Sequence, residues 1–300
     1  MIYNKRILKT GALAAAVTIA FAILVFRAAE WSKGLNSEFL VLGQTSTGTS
    51  TGGSGTTGGT TITKIVPQIV AGSFDGGLTK YTTVIQIVNT NTSAITVSGN
   101  FYKQNGTAAS LAFTTSPSTA TVTTTGEMSP FSLAANQVLV VTTSATVTTG
   151  TVVWGKIVTT GTASISTFFD LRDSATQVLH SRVGVAASPA NMASFVIPRV
   201  RNVATGLDVG FALVNTGTTA ANLTATLKDA AGTTIATLPI SLAGLNHDAK
   251  FTQQLFGLTN EPAGTNYHYV VFESTSSTFA AMSLAIEGGT LTSFPVEQLR

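Results

Sequence analysis

The chain has 300 residues, 44% hydrophobic and only 10% charged, with 28 Gly, three His and no Cys. Without Cys there are no disulfides, zinc–thiolate sites or iron–sulfur clusters. The formal charge of +3 resides in Lys5, Arg6, Lys9 and Arg27; the other 12 Lys/Arg face 13 Asp/Glu, which leaves no basic face for nucleic acid.

The N-terminus reads as a targeting segment. Residues 1–10 carry three positive charges, and Gly11 to Phe26 is uninterrupted and apolar, the layout of a basic region followed by a hydrophobic one. As a helix, 16 residues at about 1.5 Å each span roughly 24 Å, short of a ~30 Å hydrocarbon core. Residues 1–34 are therefore read either as a cleaved signal peptide or as an N-terminal membrane anchor in contact with the bilayer through Gly11–Phe26. Positive charge before the apolar run keeps the N-terminus inside, so both readings predict an exported body. Residues 35–61 follow as a linker. From Gln44 to Thr61 it holds neither a charge nor a hydrophobic residue, so it has nothing to bury against the cost of ordering.

From about residue 62 the chain repeats itself. Val88-Asn89-Thr90 aligns with Val214-Asn215-Thr216, and Val97, Phe101 and Gly106 fall on Leu223, Leu227 and Gly232 without a gap. Val66-Pro67 matches Ile197-Pro198, Ser132-Leu133-Ala134 matches Ser241-Leu242-Ala243, and Val152-Val153-Trp154 matches Val270-Val271-Phe272. A repeat of more than a hundred residues has domain length, which predicts two domains, 62–185 and 186–300. Within each copy the hydrophobic period is two: Leu223, Ala225 and Leu227 point one way, Thr224, Thr226 and Lys228 the other. The Asn89 and Asn215 segments read as turns. The expected class is all-β, two tandem antiparallel sandwiches of immunoglobulin-like type. Residues 114–129 are expected as a long loop, and Phe251 to Phe256 as one helical turn.

The second copy resembles a tandem immunoglobulin-like β-sandwich module of secreted and surface proteins of environmental bacteria. The resemblance rests on Gly210 to Asn215, Lys228 to Gly232, Ser241-Leu242 and Phe251 to Phe256. It covers roughly 195–296 well and 65–183 more weakly, and Gln254 stands where the family usually has Glu. It implies an extracellular structural or binding module without assigned catalysis, cofactor or site residues.

Chemistry-bearing residues are sparse. His180, His247 and His268 are scattered and read as surface or turn histidines rather than ligands. Asp75 is open to a calcium reading or a hairpin turn, and Asp170, with Arg172 and Asp173, to a weak calcium set, an ion pair or, as favoured, a solvated charged turn. Trp154 is expected in the core as the counterpart of Phe272. Tyr267 and Tyr269 share one strand face and are the candidate ligand-binding residues, since exposed aromatics serve many carbohydrate-binding sandwiches. Neither a catalytic group nor a metal or cofactor is predicted. The expected function is a non-enzymatic structural or adhesive protein, exported to the cell surface, the extracellular space or the outer face of the membrane. Its expected partners are envelope components or other copies of itself. Self-assembly would use edges such as Thr121–Thr125 and Ile235–Leu238, which lack Lys and Pro. The alternatives are a carbohydrate-binding module and an enzyme whose site assembles from distant residues.

Overall fold

The computed structural model describes residues 60–258, 261, 263–288 and 290–299. The targeting segment and all but the end of the linker lie outside them. Among the described residues no helix is long and apolar enough to cross a membrane.

The chain is all-β. The first half forms β1 (Ile62–Ala71), β2 (Thr79–Asn89), β3 (Ile95–Lys103), β4 (Phe113–Ser116) and β5 (Glu127–Leu133), then β6 (Val138–Thr143), β7 (Thr151–Thr159), β8 (Ala163–Asp173), β9 (Leu179–Ala186) and β10 (Ser188–Pro189). The second half forms β11 (Ser194–Asn202), β12 (Asp208–Asn215), β13 (Ala221–Asp229), β14 (Thr234–Leu242) and β15 (His247–Phe251), then the helix α1 (Thr252–Phe256), β16 (Thr265–Glu273), β17 (Phe279–Glu287), β18 (Thr290–Phe294) and β19 (Glu297–Gln298).

These strands build four antiparallel sheets. The first pair, ordered β10-β1-β7-β3-β5 and β4-β6-β2-β8-β9, encloses one core; the second pair, β14-β13-β16-β11-β19 and β15-β12-β17-β18, encloses another. β11, β12, β13, β14 and β15 take the places of β1, β2, β3, β5 and β6, and β16 to β19 take those of β7 to β10. Only β4 and α1 lack a counterpart. The sheet residues of the first half run on to Pro189, because β10 pairs with Lys64 and Ile65 of β1, as β19 pairs with β11.

The core follows from alternation. Ile85 and Ile87 on β2, Phe211 and Leu213 on β12, and Leu223, Ala225 and Leu227 on β13 are all buried. A large residue opposite a small one fills the space: Phe101 on β3 lies across from Gly155 on β7, where a Cβ would stand 2.9 Å from the Phe101 ring. The helix α1 is closed at its start by the Gln254 amide oxygen, which accepts the Phe251 N–H at 2.9 Å, and at its end by Gly257 at φ 63°.

Asn89 and Asn215 are not exposed turn residues. Each is fully buried at a strand end. The Asn89 amide donates to the carbonyls of Ser93, Leu133 and Ala134, and its oxygen accepts the Asn91 N–H. Asn215 repeats this with Thr219, Leu242, Ala243 and Gly217. The two matched sequence motifs of each copy, Asn-Thr and Ser-Leu-Ala, are thus the two sides of one buried hydrogen-bonded clamp.

Several expectations are corrected. Of 114–129, Thr114 to Ser116 belong to β4 and Glu127 opens β5, so the connection is shorter than expected. Thr121–Thr125 is not an edge strand, whereas Ile235–Leu238 lies on β14, which is one. The edges do carry blocking residues: Pro130 on β5, Pro239 on β14, Arg182 on β9, and Asp248 and Lys250 on β15. Trp154 is not the counterpart of Phe272. It is paired with Tyr102, as Tyr269 is paired with Lys228, so Tyr269 occupies its place in the second copy. Short apolar triplets align equally well at several offsets, and a slip of odd length moves every side chain to the opposite face.

The two sandwiches meet in a largely apolar seam. Ile65 and Trp154 of the first pack with Val214 and Ala280 of the second; beside them Val70, Tyr81, Phe169, Leu171 and Val183 pack with Ala212 and Met282. The Trp154 indole N–H donates to the Leu245 carbonyl at 3.0 Å, the His247 N–H to the Gln104 carbonyl at 2.9 Å, and the Leu291 N–H to the Ser181 hydroxyl at 3.1 Å.

Candidate functional site

Tyr267 and Tyr269 lie on β16 with their side chains on the outer face of the second sandwich, because Val270 and Phe272 on the same strand turn inward. Tyr267 is 63% exposed and Tyr269 half-buried. Across the sheet Tyr267 faces Val200 and Tyr269 faces Pro198, both on β11. Lys228 lies opposite Tyr269 on β13, and its ammonium donates to the Gly232 carbonyl at 3.3 Å, holding the neighbouring hairpin. Together these form a shallow aromatic and aliphatic strip with one cation at its side.

Behind the strip the same strand presents His268 to the interior, against a buried ionic cluster. Arg199 is 0% exposed. Its guanidinium meets His268 Nδ1 at 3.0 Å and Glu261 at 2.6 Å. Arg201 pairs with Asp208 at 2.6 Å and also with Glu261. Two cations and two carboxylates pair with one another, although the Arg199 Nε is left without a hydrogen-bond partner, and the cluster ties the segment before β16 to β11 and β12. Burial pushes the Asp208 carboxyl up to about 6 in spite of the nearby arginines. Burial, and then the positive charge of Arg199, lower the His268 imidazole.

His180 is exposed, as expected, but the other two histidines are not surface or turn residues. His268 is half-buried, while His247 is buried in the seam with both ring nitrogens unpartnered, and burial holds it down to about 4. The cluster was legible in part: Phe195, Ile197 and Arg199 alternate on one strand, which puts an arginine on a core-facing row. Glu261 and Asp208 gave no such signal, because only the fold brings their segments together.

Asp75 and Asp170 are buried rather than solvated. Burial would raise Asp75, but hydrogen bonds from Thr79 and Ser73 outweigh it and hold its carboxyl low. Burial likewise opposes ionisation of Asp170, and Arg182, which grips both oxygens at 2.6 Å, together with Arg172, wins. Each carboxylate thus already spends its oxygens on its own fold. Among the described residues no group of three or more His, Asp or Glu is placed to hold a metal ion.

No family model and no curated protein matches the chain. Solved structures similar to it include FlgD from P. aeruginosa, at 11% identity and a TM-score of 0.17, covering 37% of this chain and 76% of that one. They also include the Pleurotus ostreatus lectin in its apo form, at 8% identity and a TM-score of 0.18, covering 78% and 77%. Likenesses this slight carry no argument about function.

Proposed function

We propose that this is an exported, non-enzymatic protein of the cell surface or extracellular space with a structural or adhesive role. Its two sandwiches, of immunoglobulin-like type, act as one body carried on the 35–61 linker. The observation that carries this reading is the seam. Trp154, at 0% exposure, is spent on joining the two sandwiches rather than on a ligand, which suits a rigid displayed unit. The basic residues before Gly11–Phe26 support export, and the low charge of the body supports a role in contacts rather than in ionic chemistry. The blocked sheet edges favour contact with other envelope components over strand-to-strand assembly. Protease shaving of intact cells tests the reading: the 62–300 body is degraded from outside while a cytoplasmic control is spared. Protection of the body until cells are lysed would refute export to the surface.

The exposed Tyr267 and half-buried Tyr269 support a second reading, carbohydrate binding on the outer face of β16, since stacking on a sugar needs an aromatic that is open on one side. A glycan array with the wild type and a Tyr267→Ala/Tyr269→Ala variant tests it. Binding lost in the variant supports it; no binding by the wild type across a broad array refutes it.

A further inference from the structure

The seam joins two unlike faces, and each chain keeps a second version of both uncovered. The first sandwich contributes Ile65 and Val70 of β1 and Trp154 of β7, from the outer face of their sheet. The second contributes Ala212 and Val214 of β12 with Ala280 and Met282 of β17. Along the paired strands, with the β1 bulge between Val66 and Ile69 absorbing one residue, Ile65 and Val70 correspond to Val196 and Val200 of β11. Val152 and Trp154 correspond in the same way to Tyr267 and Tyr269 of β16. These four positions of the second sandwich are all apolar or aromatic, and Tyr267 stands 63% exposed. The receiving face recurs too. Ala212, Val214, Ala280 and Met282 correspond to Gln86, Val88, Ser164 and Ser166 on β2 and β8. These point away from the first core, because Ile85, Ile87 and Ile165 point into it. Val84 and Phe168, paired on the same two strands, extend the patch without adding a charge.

We infer that the outer face of β11 and β16 docks on the outer face of β2 and β8 in a second copy of this chain. The contact that joins two sandwiches within one chain is thereby repeated between chains. Unlike faces leave one of each free at the two ends, so the contact continues into an open filament unless its rotation closes a ring. Faces pack here without edge hydrogen bonds, so the blocked edges do not oppose it. Neither patch holds a charge at its centre, as in the buried part of protein interfaces. A glycan would account for the two tyrosines but not for Val196 and Val200, which offer a sugar no hydrogen bond. Gln86, Ser164 and Ser166 are more polar than Ala212, Ala280 and Met282, which suits a reversible contact rather than a permanent one. Such docking goes beyond the displayed structural role proposed above and does not need export.

The chain has no Cys, so introduced thiols alone report the contact. Tyr267→Cys and Ser166→Cys are made as separate full-length chains, because their counterparts Val152 and Met282 line one cleft of the seam. A short bismaleimide is added to each chain and to their mixture. Cross-linking is expected between unlike chains only, and one chain carrying both substitutions should give a ladder of oligomers. Val200→Glu in the first chain, or Gln86→Glu in the second, should each remove the cross-link, since a carboxylate in an apolar contact is left unpaired. Gln86→Glu nearly preserves side-chain shape, so its loss of cross-linking is not a loss of folding. The proposal is overturned if the mixture gives no cross-link, which leaves the tyrosine strip to a glycan or to the chain's own Gly11–Phe26. It is overturned equally if like chains cross-link as readily as unlike ones, or if both Glu variants keep the parent yield.

Discussion

The two sandwiches share one topology and one asparagine clamp, yet differ at register-equivalent positions inside. In the first, Ile69 pairs with Val153 on the inner face, both fully buried. In the second the matching pair is Arg199 and His268, tied to Glu261. One sandwich closes that end of its core with hydrocarbon and the other with charge. A fold of this kind constrains which positions face inward, while what fills them can be hydrocarbon or charge, provided that a buried charge finds an opposite one.

The largest effect should come from breaking the charged end. Glu261→Ala leaves Arg199 buried and short of a carboxylate, and is expected to cost about 3–5 kcal/mol in urea denaturation. Making the second copy like the first, with Arg199→Ile and His268→Val added to Glu261→Gln, should recover most of that loss. No recovery would mean that the two ends are not equivalent.

The clamp sharpens the comparison from the other side. Asn89→Ala and Asn215→Ala each strand several buried carbonyls and should each cost about 3 kcal/mol. Nearly equal losses are expected, since the backbone partners match one for one and only the Asn91 side-chain amide, replaced by Gly217 in the second copy, is extra. A several-fold difference would show that the repeat is one of sequence only.

Acid separates the copies through His247, which stands on β15 where the first copy has Val138 at the start of β6. Burial lowers His247 to about 4, against roughly 6.5 in the unfolded chain. Its contribution is therefore present above pH 6.5 and lost as pH falls towards 4. Asp208 runs the opposite way. Raised to about 6, it adds stability below the unfolded value near 3.9 and loses it as pH rises through 6. In the wild type the two offset each other. His247→Leu should uncover the Asp208 trend and gain on the order of 2 kcal/mol relative to wild type on going from pH 7 to pH 4.5, read by guanidinium denaturation. An unchanged difference between the two pH values would contradict the burial of His247. The smallest effect is expected at the surface: Tyr267→Ala should change stability by less than about 0.5 kcal/mol, which leaves it clean as a binding variant.

The sequence carried the all-β class, most strand positions and the repeat, because alternation and turn residues are local signals. Leu223, Ala225 and Leu227 face inward as their spacing requires, and Tyr267 and Tyr269 share an outer face. What it did not carry depends on contacts between distant segments. Trp154 reads as a core residue of its own sandwich, yet the surface it covers belongs to the other. Asn89 and Asn215 read as turn formers because the carbonyls they hold lie as far as 44 and 27 residues away. Glu261 and Asp208 meet the arginines only once the sheets have closed. Tyr81 looks like one more inward residue of β2 until the second sandwich makes a cleft of its surroundings.

The packing of Ile65 and Trp154 against Val214 and Ala280 implies that the two copies of the module unfold as a single body. Differential scanning calorimetry of the full chain tests it most directly. One cooperative transition is expected in the wild type, and in Trp154→Ala a separation into two transitions, each with roughly half the enthalpy. Two independent transitions in the wild type, or a Trp154→Ala variant that still melts as one unit at an unchanged temperature, would contradict it.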